Sequence, residues 1–452
     1  MSSRPAPEQG ARSARAGALR QDVGRMGPLA EQAIAAPEPE LTREQIVARA
    51  EALIPMLREQ QDEAEERGYY SEAVHREFVR CGFSRILQPR RFGGYEFDLP
   101  TFVRTMVKIA TGDPGTGWCL TLGSSHAQVV ASYFPEAVQA EAFGRDGDFR
   151  CPHPVAPVGE ARRADGGWRV SGKATYASGI PYATWALCSA LVPATESDGP
   201  PSVMTLLVPR SDLTMLDDWG ASNGRVLGMR SSGSNSFVLD DVFVRDAFTQ
   251  PLDWFDERPL ATPGYELHGN PMYMCRPAGP YHASLVLPAV GAARAALDEF
   301  REWALEKSTT FPPVVPRYRS QDDQRAYGMA MAMTDAAETI LYGFADQYME
   351  ALARAAAGEP AMGTYQDARW WAMLQQAGGL AASAVETLAH RATSSATGAG
   401  TRLGRYFRDV TTYRQHISSQ QLDHAVRNAA LYLGASDVWM DRSGPARPPA
   451  SS

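Results

Sequence analysis

The sequence predicts an α+β fold in which a helical domain, an antiparallel β domain and a four-helix bundle follow one another along the chain. Apolar residues repeat at helical spacing up to about residue 145, and short alternating runs separated by turn residues follow. Long helical patterns return after a linker rich in proline and glycine. We therefore expect a helical domain at residues 41–145, a β domain at 146–255 and a helical bundle at 256–445.

The N-terminal segment, residues 1–40, is rich in Ala, Arg, Gly, Pro and Ser and lacks apolar periodicity, which is typical of a disordered tail. A partner-binding arm is the alternative, because the segment carries several arginines. Order is expected to begin at Thr42, where Thr-Arg-Glu-Gln forms a capping-box pattern. Further helices are expected from about Ser71, from about Pro100 and over residues 117–132.

The β domain and the bundle are each predicted from four runs. The strand-like runs are "WRVSGKATY", "WALCSALVP", "VMTLLVP" and "SFVLDDVFV". The runs of bundle length begin at "ASLVLPAV", "AYGMAMAM", "YQDARWWA" and "TYRQHISS", and the last covers residues 412–434.

Composition excludes several classes of protein. The chain of 452 residues carries a net charge of -8, which argues against nucleic acid or an anionic membrane as a partner. The five cysteines are scattered without a CxxC pair, which indicates a reducing compartment and no zinc site. No apolar run approaches the roughly 20 residues that span a bilayer. We therefore expect a cytoplasmic enzyme without a metal.

One turn in the β domain carries more than a turn needs. In "TYASGIPYATW", Gly179 and Pro181 suffice to reverse the chain, yet Ser178 precedes the glycine and Trp185 follows seven residues after the serine. A small hydroxyl and an indole at a strand end suggest that a flat group lies against this strand. A serine that satisfies its own turn backbone is the alternative.

Four motifs in this order resemble the acyl-CoA dehydrogenase superfamily. They are "QPRRFGGYEFD", "DPGTGWCLTLGSSHAQ", "MRSSGSNSFVLDDVFVRDAF" and "LGRYFRDVTTYRQHISSQQ". The resemblance covers about residues 41–440 and implies an acyl-CoA dehydrogenase-like fold.

Within that superfamily the sequence resembles the flavin-dependent monooxygenases, the oxygenase components of two-component systems. Dehydrogenases of the superfamily carry a glutamate base near the C-terminus, whereas "ATGAGTRLGRYFRD" has none, and His416 matches the histidine of the oxygenase branch. The resemblance implies that a hydroperoxide forms on carbon C4a of the flavin and transfers one oxygen atom to a small organic, aromatic substrate.

The resemblance also implies residues around the flavin. Ser178 matches a serine beside flavin N5, and Trp118 and Trp185 are candidate walls of the ring, with an ordinary core role as the alternative. Cys151 and Pro152 match residues that line the flavin and substrate, although the residue type favours a buried, inert cysteine at Cys151.

Arg276 matches a position at which relatives hold the flavin phosphate, where a guanidinium can form a forked contact. No GxGxxG motif follows a strand, so reduced flavin is expected from a separate reductase.

The substrate is expected to meet histidines and a tyrosine. His126 matches a histidine near the substrate in the oxygenases and follows Trp118 by eight residues, close to the same face of the predicted helix; a histidine bonded to a backbone carbonyl is the alternative. Tyr281 and His282 are close enough in sequence to face substrate. His416 is the expected general base for a phenol or amine.

His416, Gln420 and Asp423 are expected on one helical face, in an arrangement too sparse for a metal site. Arg408 and Asp409 are expected to form a structural ion pair.

These observations predict a monooxygenase that uses reduced FMN or FAD and dioxygen, and the resemblance implies a homotetramer. A flavoprotein dehydrogenase of an unusual substrate, with His416 as its base, is one alternative. A catalytically silent binding protein that kept the fold is another.

Overall fold

The structure is a computed structural model that describes residues 36–144, 147–194, 201–222, 226–251, 261–359, 363–416, 419 and 424–434. Its N-terminal part is helical, and Thr42 caps the first helix with the predicted capping box. Ser71 and Asp98 cap two further helices by accepting hydrogen bonds from backbone N–H groups. The helices are α1 (Arg43–Ala52), α2 (Ile54–Glu59), α3 (Gln61–Arg67), α4 (Glu72–Cys81), α5 (Leu99–Gly112), α6 (Pro114–Ser124), α7 (Ala127–Tyr133) and α8 (Glu136–Phe143).

The prediction of one continuous helix over residues 117–132 was wrong, because the chain breaks between α6 and α7 at Ser125 and His126. Two carbonyls of the last turn of α6 are occupied from outside the helix. The ring of His126 contacts the carbonyl of Leu122 at 2.9 Å, and the backbone N–H of Cys151 donates to the carbonyl of Gly123 at 2.6 Å. These contacts compete with the helical hydrogen bonds and end α6.

The central sheet is mixed, whereas an antiparallel sheet was predicted. Its strands, in the order β5-β6-β2-β1-β3-β4-β7, pair antiparallel except for β1 and β3, which are parallel. The strands are β1 (Pro157–Ala164), β2 (Gly167–Ala174), β3 (Trp185–Val192), β4 (Ser202–Pro209), β5 (Thr214–Met215), β6 (Phe237–Arg245) and β7 (Thr249–Gln250).

The parallel pair determines the path of the turn that contains Ser178. Because β2 and β3 flank β1 on opposite sides, the chain must cross the beginning of β1 between residues 175 and 184. This crossover also receives the segment before β1, since Trp185 donates its backbone N–H to the carbonyl of Arg150 at 3.1 Å. The crossover therefore lies at the end of the sheet where β1 begins, and a Cβ at its Gly179 would lie 2.8 Å from the carbonyl oxygen of Cys119.

The C-terminal part is a bundle of long helices that packs on α5 and α6. Its last predicted helix, over residues 412–434, is not continuous, because one helix ends at Arg414 and another begins at His424. No glycine or proline marks the end at Arg414, so helical periodicity alone could not locate it. The helices are α9 (Pro263–His268), α10 (Ala278–Glu306), α11 (Gln321–Ala356), α12 (Thr364–Arg391), α13 (Arg402–Arg414) and α14 (His424–Tyr432).

Among the described residues, no helix combines the length and the apolar character that crossing a membrane would require.

Candidate active site

Helix α6 is the element around which the site is built. Its N-cap residue, Asp113, accepts a hydrogen bond from the hydroxyl of Ser231 at 2.7 Å, which ties the helix to the segment before β6. A Cβ at Gly117 would lie 2.6 Å from the Cβ of Ala110 on α5, so the two helices approach at a distance that only glycine allows. These contacts fix the position of the next residue, Trp118.

Trp118, Ser178 and His416, which the resemblance implied around the flavin and the substrate, come together in the structure although they belong to three different parts of the chain. The indole N–H of Trp118 donates to the Ser178 hydroxyl oxygen at 2.9 Å. The His416 ring stands edge-on to the Trp118 ring, with their centroids 5.3 Å apart. Trp118 and Ser178 are each only 6% exposed. The result is a buried hydroxyl beside two aromatic rings, contributed by α6, the crossover and the end of α13.

Two tight turns bring their backbones against Cys119 on α6. Gly179 has φ +95°, and a Cβ there would lie 2.8 Å from the Cys119 carbonyl oxygen. Gly233 has φ +58°, and its Cβ would lie 2.9 Å from the Cys119 sulfur. Both positions therefore require glycine, for the left-handed backbone and for the close approach. The glycines set how far Ser178 and the segment before β6 lie from α6.

Two serines that sequence analysis missed extend the site away from Trp118. The hydroxyls of Ser178 and Ser234 are 2.7 Å apart, and those of Ser234 and Ser232 are 2.6 Å apart. Both additional serines are buried. The run of small polar residues in "RSSGSNS", before an apolar strand, was the signal available in the sequence.

His416 follows helix α13 instead of lying within a helix. Its backbone N–H donates to the Tyr413 carbonyl at 3.0 Å, in the turn after the last helical residue, Arg414. The expected helical face with Gln420 and Asp423 is therefore wrong for His416, and the other two residues lie outside the described part of the chain. Burial lowers the pKa of His416 to about 4, so the imidazole is neutral near pH 7.

His126 lies in the turn between α6 and α7, so it does not share a continuous helix with Trp118 as predicted. Its Nδ1 contacts the carbonyl oxygens of Leu122 at 2.9 Å and Cys151 at 2.7 Å. Because a carbonyl only accepts hydrogen bonds, Nδ1 carries the hydrogen and Nε2 is the acceptor nitrogen of the neutral ring. Burial lowers the pKa of His126 to about 4, which keeps this neutral form near pH 7.

A second group of aromatic residues surrounds His126. Its ring lies 6.3 Å from the Tyr281 ring and 5.6 Å from the ring of His153, which the sequence analysis missed. Burial, and then the neighbouring His126, lower the pKa of His153 well below its usual value. A cavity of about 10 Å³ lies against His126, Gln128 and Tyr281, near the space that one water molecule needs. The structure thus brings together two of the predicted substrate residues.

Cys151 and Pro152 take part in the candidate site through hydrogen bonds of their backbone carbonyls. The Cys151 carbonyl holds His126, and the Pro152 carbonyl accepts from the backbone N–H of Leu187 at 2.9 Å. Cys151 is fully buried, and burial raises the pKa of its thiol well above the usual value, so the thiol stays protonated near pH 7.

Trp185, Arg276 and His282 have contacts of a different kind. The Trp185 ring stacks on Phe248 with centroids 5.8 Å apart, which packs β3 against the end of β6. Arg276 forms a buried ion pair with Asp367 of α12 at 2.6 Å. His282 is buried in the first turns of α10, beside Tyr281. Their predicted roles toward flavin and substrate stay predictions.

Arg408 and Asp409 do not form the predicted ion pair with each other. Arg408 donates to both carboxylate oxygens of Glu65 on α3, at 2.7 and 2.9 Å. Asp409 instead accepts from the backbone N–H of Met229 at 2.6 Å. Adjacent residues on a helix point in different directions, which is why the pair separates.

The donor set around Trp118 suits a flat heterocycle that has ring nitrogens. The Ser178 oxygen uses one lone pair for the Trp118 N–H, and a hydroxyl has a second lone pair and one hydrogen to share with its remaining neighbours. The rings of Trp118 and His416 offer apolar faces or edges to such a group. These residues fit the isoalloxazine ring of a flavin.

Comparison with known proteins places the chain in a family. The profile described as "Acyl-CoA dehydrogenase, C-terminal domain" matches residues 283–421. The oxygenase subunit HsaA of a flavin-dependent monooxygenase from Rhodococcus jostii is 31% identical over 378 residues, which is 82% of this chain and 94% of that protein. The chain belongs to the flavin-dependent monooxygenase family.

Other members of the monooxygenase family support this assignment. The oxygenase component of an FADH2-dependent resorcinol hydroxylase from Rhizobium is 33% identical over 211 residues, which is 46% of this chain and 50% of that protein. The crystal structure of 3-HSA hydroxylase from Rhodococcus sp. RHA1 superimposes with a TM-score of 0.77 at 28% identity and covers 86% of this chain and 97% of that one. These findings confirm the predicted acyl-CoA dehydrogenase-like fold and the prediction of a flavin-dependent monooxygenase.

Proposed function

We propose that this monooxygenase is the oxygenase component of a two-component system. It takes up reduced FMN or FAD made by a separate flavin reductase and uses dioxygen to hydroxylate a small phenolic substrate. One relative, named a FADH2-dependent resorcinol hydroxylase, supports an aromatic substrate and reduced flavin, and another, named an oxygenase subunit, supports a separate reductase. Bound flavin supplies the reaction with dioxygen, and the protein supplies position, exclusion of water and control of protons.

The observation that carries the proposal is the hydrogen bond between Trp118 and Ser178 in a buried site. In the proposed complex the Ser178 oxygen accepts from the N5–H group of reduced flavin, while the Trp118 and His416 rings border the isoalloxazine. Because these residues are buried, little water competes for the same hydrogen bonds. Arg276, oriented by Asp367, is the proposed contact for the flavin phosphate.

We propose that the phenol lies near His126. In the assigned tautomer the Nε2 atom accepts a hydrogen bond from the substrate hydroxyl, and the Tyr281 ring packs on the substrate ring. His416, on the side of Trp118, is the alternative acceptor for that hydrogen, because a phenolic hydroxyl has only one hydrogen to donate. Its lowered pKa makes it a weak base, so we expect it to act mainly as a hydrogen-bond acceptor.

The Ser178→Ala variant tests the proposal. Without the hydroxyl, the N5–H group loses its acceptor, so less oxygen reaches the substrate and more is released as hydrogen peroxide. The assay supplies reduced flavin from a generic reductase and measures oxygen uptake, peroxide and hydroxylated product over a panel of phenols. Ser189→Ala is the matched control, because Ser189 is equally buried but lies within β3. An unchanged ratio of product to oxygen in Ser178→Ala would overturn the role of Ser178.

An anaerobic titration separates this proposal from the two alternatives. An oxygenase component should bind reduced flavin more tightly than oxidised flavin, since reduced flavin is the form that it receives from the reductase. A dehydrogenase should retain oxidised flavin through purification, and a silent relative should bind neither form.

We also propose a homotetramer. The apolar side chains of Met329 and Met331 on α11 are exposed by 53% and 45%, so this face can pack against another copy. Sedimentation should give a species of four chains, and a monomer that binds reduced flavin tightly would contradict the proposal.

A further inference from the structure

A chain of three buried hydroxyls leads away from the proposed flavin site. Ser178, Ser234 and Ser232 are exposed by 6%, 5% and 1%. Successive hydroxyl oxygens are 2.7 and 2.6 Å apart, and Trp118 closes one end with its N–H at 2.9 Å from Ser178. An indole nitrogen only donates, so the bond at this end has a fixed direction.

The other two bonds can run in either direction. If each hydroxyl donates toward Ser232, the Ser178 oxygen has one lone pair left after Trp118, and it can accept from a ligand N–H. If each hydroxyl donates toward Ser178, both of its lone pairs are used, by Trp118 and by Ser234, and its own hydrogen is left to donate. Rotation of the O–H bonds interconverts these two states without moving a heavy atom.

We propose that Ser234 is a positioning residue that sets the direction of the Ser178 hydroxyl and adapts it to the oxidation state of the flavin. This inference rests on the proposed function. Reduced flavin carries a hydrogen on N5, so it needs Ser178 as an acceptor, and Ser234 must then take the Ser178 hydrogen. Oxidised flavin has a bare N5, so it needs Ser178 as a donor, and Ser234 is then dispensable.

The difference between the two states makes the inference testable. In Ser234→Ala, binding reduced flavin leaves the Ser178 hydrogen buried without an acceptor, which is the costly kind of defect. Binding oxidised flavin leaves only a lone pair unused, which costs less. We therefore expect the Kd for reduced flavin to rise about tenfold and the Kd for oxidised flavin to change by less than about threefold.

The experiment is a titration of the full-length protein with reduced and oxidised FMN and FAD under anaerobic conditions. Ser236→Ala is the matched control. Ser236 is also 5% exposed and lies two residues further along the same segment, but its side chain bonds Asp218. Ser234→Thr keeps the hydroxyl and should restore the preference of the parent protein for reduced flavin. Ser232→Ala should also raise the Kd for reduced flavin, but by a smaller factor, because it removes only the hydroxyl that lies farthest from Ser178.

The outcomes distinguish this inference from the proposed function. Suppose that the parent protein prefers reduced flavin, and that Ser234→Ala raises the Kd for both flavin forms equally or changes neither. The role of Ser234 is then refuted, and the proposed function stands. If the parent protein binds neither reduced nor oxidised flavin, the proposed function and the role of Ser234 are both refuted. A purely structural role of Ser234 would weaken both forms and would be mirrored by Ser236→Ala.

Discussion

Replacing Asp409 with asparagine should stabilise the protein above pH 7 and reduce the dependence of its stability on pH. Asp409 is 2% exposed, and burial, followed by the nearby carboxylates Asp113 and Glu65, raises its pKa from 3.8 to about 7. The folded state therefore keeps a proton that the unfolded chain releases near pH 4. Arg408 opposes this effect, and so does the hydrogen bond from Met229, but neither prevents it.

The size of the effect follows from the shift in pKa. Between about pH 4 and 7 the folded state binds one proton more than the unfolded state, so the free energy of unfolding falls by about 1.4 kcal/mol for each pH unit. Over the whole window this group costs about 4 kcal/mol. Asparagine accepts from the Met229 N–H without carrying a charge. We therefore expect the difference in free energy of unfolding between Asp409→Asn and the parent protein to grow up to pH 7, in favour of the variant, and to stay constant above it.

The assay is chemical denaturation of both proteins at pH 5, 6, 7 and 8. The difference between variant and parent cancels the groups that titrate in both proteins. Asp246→Asn is the control, because Arg163 lowers the pKa of that exposed carboxyl below its usual 3.8. Its stability difference should therefore stay constant across the same pH range. Parallel curves for Asp409→Asn and the parent protein would refute the assignment of a raised pKa to Asp409.

The remaining predictions concern the site itself. Gly179→Ala should destabilise the protein by about 2 kcal/mol or more, whereas Gly166→Ala, also left-handed but with open space around it, should cost about 1 kcal/mol; denaturation midpoints compare them. Trp118→Phe keeps an aromatic ring but loses the N–H bond to Ser178, so it should cost about 1 kcal/mol, measured in the same way. His416→Ala removes a hydrogen-bond acceptor for the substrate and a ring that borders the flavin, so product formation should slow about tenfold and the affinity for reduced flavin should fall only slightly; an unchanged rate of product formation would contradict the role of His416.

Local patterns predicted the elements well where the chain carries its own signals. The capping box at Thr42 located the start of α1, and Ser71 located that of α4. The break after α13 was missed because no glycine or proline marks it, and the break after α6 was missed although Gly123, Ser124 and Ser125 precede it. The break after α6 depends on Cys151, whose N–H reaches the Gly123 carbonyl from a distant part of the chain. Hydrogen bonds between distant parts of the chain do not show in the apolar periodicity of the sequence.

The sequence also predicted only some of the residues of the candidate site. The resemblance to the monooxygenases identified Trp118, Ser178 and His416, which the structure brings together. It missed Ser234, although the run of small polar residues before β6 was a signal, and it missed His153, because a single histidine carries no pattern of its own. Their significance comes only from hydroxyls and rings placed next to them by the fold.

The close packing of the turns at Gly179 and Gly233 against Cys119 has a consequence for how the protein can be divided into fragments. Trp118, Ser178, Ser234 and His416 are supplied by all three parts of the chain, and none of those parts holds a working arrangement alone. Most of these contacts close loops of many residues, so they should form late in folding, after the helices and the β hairpins. Flavin binding would then report on completion of the whole fold. Fragments cut between α8 and β1 should retain helical content but recover flavin binding only when they are mixed.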